Sequence, residues 1–204
     1  MRGGSLPARL LTAALFLLAC PADADAHSAS PSMNDVLSGI LHPFLTPAHV
    51  LILLGLGVLV GQRASLYLNL ALAIFLPLSA AALALTTTKW FAGVPAPILI
   101  SIALVTGAAV TLDRRAPSLV CGALIGAAAI AIGLDSGLET GSTAAVIKTL
   151  LGTWIGLVLG LGNIVYYASL AAERKRQWMS IGLRVAGSWI VAISLLLLAF
   201  SLRK

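Results

Sequence analysis

Read as a string of apolar and polar positions, the chain alternates long apolar runs with short polar breaks. Runs over 47–61, 66–85, 98–112, 119–134, 145–167 and 181–200 carry almost no charge. Runs with no polar face for water predict helices immersed in lipid, not the amphipathic helices of a soluble core. The run over 47–61 reaches only about 22 Å at 1.5 Å per residue, short for a bilayer, which suits a re-entrant or partly buried start. A short helix over 35–41 feeds it. Pro77 predicts a kink in the second run, and Pro95 and Pro97 open the third. The predicted fold class is therefore all-α: a polytopic membrane helix bundle with six transmembrane helices.

The polar breaks add processing and orientation. Residues 1–26 have the three parts of a cleavable signal peptide: Arg2 and Arg9, an apolar stretch over 10–19, and Ala24-Asp25-Ala26 as a small-residue cleavage site. Cleavage there leaves 27–204 as a single six-span membrane domain beginning at His27. Two other readings stay open: a lipoprotein box ending at Cys20, and an uncleaved first span. Arg63, the Arg114-Arg115 pair and the Arg174-Lys175-Arg176 run fall in alternate loops, and the loops on the other side hold only Lys89 before Lys148. That asymmetry is the positive-inside pattern, and it puts both mature termini outside. Arg203 and Lys204 dissent from it.

Composition sharpens the exclusions. Hydrophobic residues make up 59% of the chain and charged residues 10%, values foreign to a soluble domain. The net charge of +6 is spent on loop runs rather than gathered on one face, so no nucleic-acid partner follows. Cys20 and Cys121 form no disulfide framework. Gly122 with Gly126, and Gly152 with Gly156 and Gly160, recur every four residues and read as helix-packing ridges. No histidine follows His49 in the chain, and the sequence around Ser136 lacks the G-x-S-G of rhomboid-type serine proteases, so the protein is not expected to be an enzyme. The absence of a G-x-x-x-x-G-K-[ST] loop points to passive or facilitated movement over primary pumping.

The polar residues that remain are few. His42 and His49 stand at the mouth of the first apolar run, bracketed by Pro43 and Pro47. Ionisable groups at the end of a membrane helix are functional candidates by default, because hydrocarbon does not solvate them. Thr46 reads as N-cap and Pro47 as the first helical residue, with His49 in the first turn. Fold-back over 43–46 would bring both imidazoles to one polar niche. Asp135 and Glu139, in GLDSGLET, are four apart and could share the outer end of the fourth run. Imidazole with carboxylate suits divalent first-row metals, and a nearby carboxylate also orients a metal-bound histidine. The alternatives are an interfacial loop position for His42, a backbone carbonyl partner for His49, and a solvated loop for the two carboxylates. Lys148, Asn163, Arg184 and Asn69 read as structural, with long side chains snorkelling to the interface.

At HPFLTPAH the chain resembles the HupE/UreJ family of hydrogenase and urease accessory proteins, six-span permeases associated with nickel or cobalt uptake. The resemblance covers nearly the whole chain. A family pattern like H-P-x-x-G-x-D-H falls on His42, Pro43, Thr46, Ala48 and His49, and one like H-G-x-x-H-G-x-E falls on Ile132, Gly133, Ser136, Gly137 and Glu139. Arg184 and Gly187 match an arginine and glycine that often open the last span. The motif aspartate is Ala48 here, and both fourth-span histidines are replaced, by Ile132 and Ser136. The resemblance implies a bacterial inner (cytoplasmic) membrane protein that handles Ni2+ or Co2+ as transported ion, with no tightly bound cofactor. His42, His49, Glu139 and Asp135 would be its metal residues. Lipid, the metal ion and metalloenzyme maturation proteins are the implied partners; a membrane interaction protein that has lost the metal site is the alternative. Restoring Ala48→Asp, Ile132→His and Ser136→His together is expected to tighten nickel binding.

Overall fold

Within lipid every backbone amide and carbonyl must be satisfied inside its own segment, which leaves helices as the outcome for apolar runs of this kind. The computed structural model describes residues 35–88, 93–114, 116–137, 142–174 and 177–203. Every regular element among these residues is a helix: α1 (Asp35–Leu45), α2 (Pro47–Gly61), α3 (Ala64–Thr86), α4 (Ala96–Leu112), α5 (Ser118–Asp135), α6 (Thr143–Glu173) and α7 (Gln177–Ser201). The expected signal peptide, Cys20, His27, Lys89 and Glu139 lie outside the described residues.

Four helices, α3, α5, α6 and α7, are long and apolar enough to cross a membrane, and the pair α1 and α2, bent by 74°, makes a fifth if taken as one broken span. The third expected span, over 98–112, is α4, which has 17 residues. At 1.5 Å per residue it reaches about 26 Å against a hydrocarbon thickness of about 30 Å, so it falls short on length rather than on polarity. α3, α5, α6 and α7 extend beyond their apolar runs at both ends, whereas α2 matches its own. α6 continues to Glu173 because residues such as Leu170, Ala171 and Ala172 still favour helix where the run has become less apolar.

The entry to the first span differs from the sequence expectation. The chain does not fold back at Pro43; α1 continues through it to Leu45. Pro43 removes one amide close to the helix end, where few further bonds depend on it. The break falls instead at Thr46, whose φ of −94° and ψ of 110° are the extended dihedrals that a following proline favours. Pro47 is the first helical residue as expected. Thr46 does not cap with its side chain, however: its hydroxyl donates back to the His42 carbonyl at 3.4 Å.

Packing follows from the glycines. α2 has no polar face and is the central helix, with Ile52, Leu56 and Val60 fully enclosed. The Gly152, Gly156 and Gly160 ridge of α6 receives α1, whose Val36, Ile40 and Phe44 recur at the same four-residue interval. A Cβ at Gly152 or Gly156 would land on the backbone carbonyl of Val36 or Ile40, and one at Gly160 would lie 2.8 Å from the Phe44 ring. Gly122 and Gly126 of α5 face Leu70, Ile74 and Leu78 of α3, while α4 and α7 cross at Gly107 and Gly187. The ridges are thus packing surfaces, as their spacing predicts. α7 buries only Gly187, Ile190 and Ser194 and turns Trp178, Trp189 and Phe200 outward.

At the end of the bundle where α2 finishes, Arg63 donates to the carbonyl and, at 3.0 Å, to the carboxylate of Asp113, and the Tyr67 hydroxyl donates to the Ala116 carbonyl at 2.8 Å. Asp113 has a positive φ of 47°, a left-handed helix stop that aspartate and asparagine tolerate better than alanine does. Asp113→Asn should therefore shift stability by less than about 1 kcal/mol, the usual range of a solvent-accessible ion pair. Asp113→Ala should lose about 1–2 kcal/mol more through backbone strain. Thermal unfolding in detergent checks both; equal losses would remove the strain account.

Candidate metal-binding niche

His49 lies in the first turn of α2, three, four, seven and eleven residues before Ile52, Leu53, Leu56 and Val60, which are all enclosed in the core. Helical periodicity therefore aims it inward, and its side chain is fully buried. The last residue of α5, Asp135, meets it across 86 residues of sequence, with Asp135 Oδ2 2.9 Å from His49 Nε2. The second oxygen, Oδ1, accepts from the Val94 backbone amide at 3.2 Å. One carboxylate thus ties the start of α2, the end of α5 and the segment leading into α4.

The bend at Thr46 brings in the second imidazole. His42, in the last turn of α1, stands edge-on to His49, with ring centroids 5.7 Å apart and an interplanar angle of 65°. Two imidazoles on one ion, with metal–nitrogen bonds of about 2.0–2.1 Å, hold their centroids on the order of 5–6 Å apart. The observed spacing fits. His49 Nδ1 is buried and has no hydrogen-bond partner. The niche therefore offers an uncommitted buried nitrogen, a neighbouring imidazole and a carboxylate.

Of the residues expected at the site, the structure brings together His42, His49 and Asp135; Glu139 lies outside the described residues. The partner of His49 is a carboxylate, not a backbone carbonyl, and Asp135 ends a helix instead of lying in a solvated loop. His42 is inside a helix. Ser136 is 3% exposed, and its hydroxyl donates to the Ile132 carbonyl at 2.7 Å. Ile132 itself is fully enclosed in the apolar core, so an imidazole there would have to displace packed side chains. Among the described residues no group of three or more histidine, cysteine, aspartate or glutamate side chains is arranged to hold a metal ion. Lys148 and Asn69 are exposed on helix surfaces, Asn163 donates to its own helix at Leu159, and Arg184 donates to the Thr111 carbonyl.

Sequence reasoning did not find the Val94 amide, and no local pattern marks a backbone group as a site component. Comparison with known proteins supplies one match. The sequence model of the family described as HupE / UreJ protein covers residues 14–197. Comparison with curated proteins and with solved structures gives no match.

Proposed function

The chain belongs to the HupE/UreJ family, and from that premise we propose that it is a membrane permease or metal-handling accessory protein for a divalent transition metal, nickel or cobalt. The observation that carries the reading is the meeting of His42, His49 and Asp135 at the break between α1 and α2. Borderline nitrogen donors beside a carboxylate suit late first-row divalent ions. An ion bound there would complete its shell with Glu139 or water. Titration of the purified protein with Ni2+ and Co2+ tests this. Saturable binding that weakens as acid protonates the imidazoles is the expected result, and no binding of either ion by folded protein would overturn the metal reading.

We further propose six crossings: the broken pair α1 and α2 as one span, then α3 to α7, with α4 accommodated by locally thinned lipid. Loop charge places Arg63 and Arg114 in the cytoplasm and the mature termini outside, in a bacterial inner membrane. The niche would then open outward, where a cation is collected. Cysteines introduced at Arg63 and Glu139 should be labelled from opposite sides; labelling of both from one side would reject this topology.

A second reading, a membrane interaction protein that no longer transports, is favoured by one observation. Ile132 and Ser136 stand buried where the family pattern has histidines. Nickel accumulation by cells that express the chain, against cells that do not, separates the two: uptake supports the permease, and equal accumulation supports the interaction protein.

A further inference from the structure

We propose that Asp135 acts on a bound cation through His49 and not as its ligand: the carboxylate holds the ring proton on Nε2 and leaves the Nδ1 lone pair as the metal-binding atom. This deepens the metal-site reading and rests on it.

Both oxygens of Asp135 are already committed to N–H groups, Oδ2 to His49 Nε2 at 2.9 Å and Oδ1 to the Val94 amide at 3.2 Å. A carboxylate is an acceptor only, so the His49 nitrogen that faces it must be the donor. In a neutral ring the other nitrogen, Nδ1, then carries the lone pair. The alternative tautomer would bury an Nδ1–H donor with no acceptor, in a side chain that is fully enclosed. A buried donor without a partner is the rarer and costlier orphan. A lone pair in the same position is what a metal ion requires, and a carboxylate behind the ring raises its basicity.

The Val94 amide makes this testable with one isosteric change. A backbone N–H can only donate, so in Asp135→Asn the amide oxygen stays against Val94 and the NH2 group turns to His49 Nε2. Nε2 must then accept, and the ring proton moves to Nδ1. The experiment is the 15N spectrum of histidine-labelled protein without metal, with the His49 resonances assigned by their loss in His49→Gln, followed by Ni2+ titration. The expected result is an unprotonated Nδ1 in the wild type, a protonated Nδ1 in Asp135→Asn, and Ni2+ affinity about 10–100-fold weaker in the variant. Asp135→Glu, which keeps an acceptor for the ring, should restore the tautomer and part of the affinity. A wild-type ring protonated on Nδ1 would overturn the proposal. So would an Asn variant that keeps the wild-type tautomer yet loses as much affinity as Asp135→Ala, because the carboxylate would then be a ligand itself. Absence of Ni2+ binding in the wild type would overturn the metal-site reading, and the metal-free spectra would still decide the tautomer.

Discussion

His49→Ala is expected to lower Ni2+ affinity by more than about 100-fold, since disturbing only the residue behind a metal-bound imidazole already costs 10–100-fold. The change removes a buried ring nitrogen, His49 Nδ1, that has no hydrogen-bond partner. It also leaves Asp135 Oδ2 without its donor, so about 1–3 kcal/mol of stability should go with it. The two effects separate in His49→Gln, whose amide can reach Asp135 but offers no imidazole. That variant should unfold near the wild-type temperature and still fail to bind. Calorimetric titration beside thermal unfolding reads both quantities, and unchanged binding in a well-folded His49→Gln would remove His49 from the site.

Gly156→Val is expected to unseat α1. The new Cβ falls on the backbone carbonyl of Ile40, and backbone, unlike the far end of a side chain, cannot swing aside. Overpacking of this kind costs about 1–3 kcal/mol, and contact with backbone puts this position at the upper end. Because α1 carries His42, its displacement should also pull one imidazole from the niche and weaken Ni2+ binding. Gly162 supplies the control on the same helix: a Cβ there meets nothing within 4 Å. Gly162→Val should leave both stability and binding close to wild type. Equal behaviour of the two variants in denaturant titration would refute the seating of α1 on the glycine ridge.

Most of the fold was legible in the sequence because lipid leaves so little choice. Runs without charge had to be helices, and α2 matches its run at both ends. Glycines four residues apart had to face something close. Which helix they face was not readable: that α6 accepts a half-length helix through Val36, Ile40 and Phe44 depends on where the chain breaks. The end of α1 was placed one turn too early, at Leu41, while Pro47 was read correctly as the start of α2. Pro43 weakens a helix already near its end, whereas Thr46, held extended by Pro47, stops it. At the site, the histidines announced themselves by polarity in an apolar stretch. Their link to Asp135 was only a hypothesis, because a hydrogen bond across 86 residues leaves no spacing rule behind it. The fate of Ile132 and Ser136 could not be read either; one lies in the last turn of α5 and the other just past its end, and both are buried by packing against other spans.

The single extended residue at Thr46 has an electrostatic consequence. The carboxyl end of α1 carries roughly half a negative charge and the amino end of α2 roughly half a positive one. Separated by one residue, the two macrodipole ends oppose each other. Pro47 contributes no N–H to the positive end, and the Pro43 carbonyl has no amide four residues ahead to meet it. The two ends largely offset each other, and what remains at the break is a carbonyl without an amide, a polarity that suits a cation. The formal charge of Asp135, placed directly behind the His49 ring, adds to that preference.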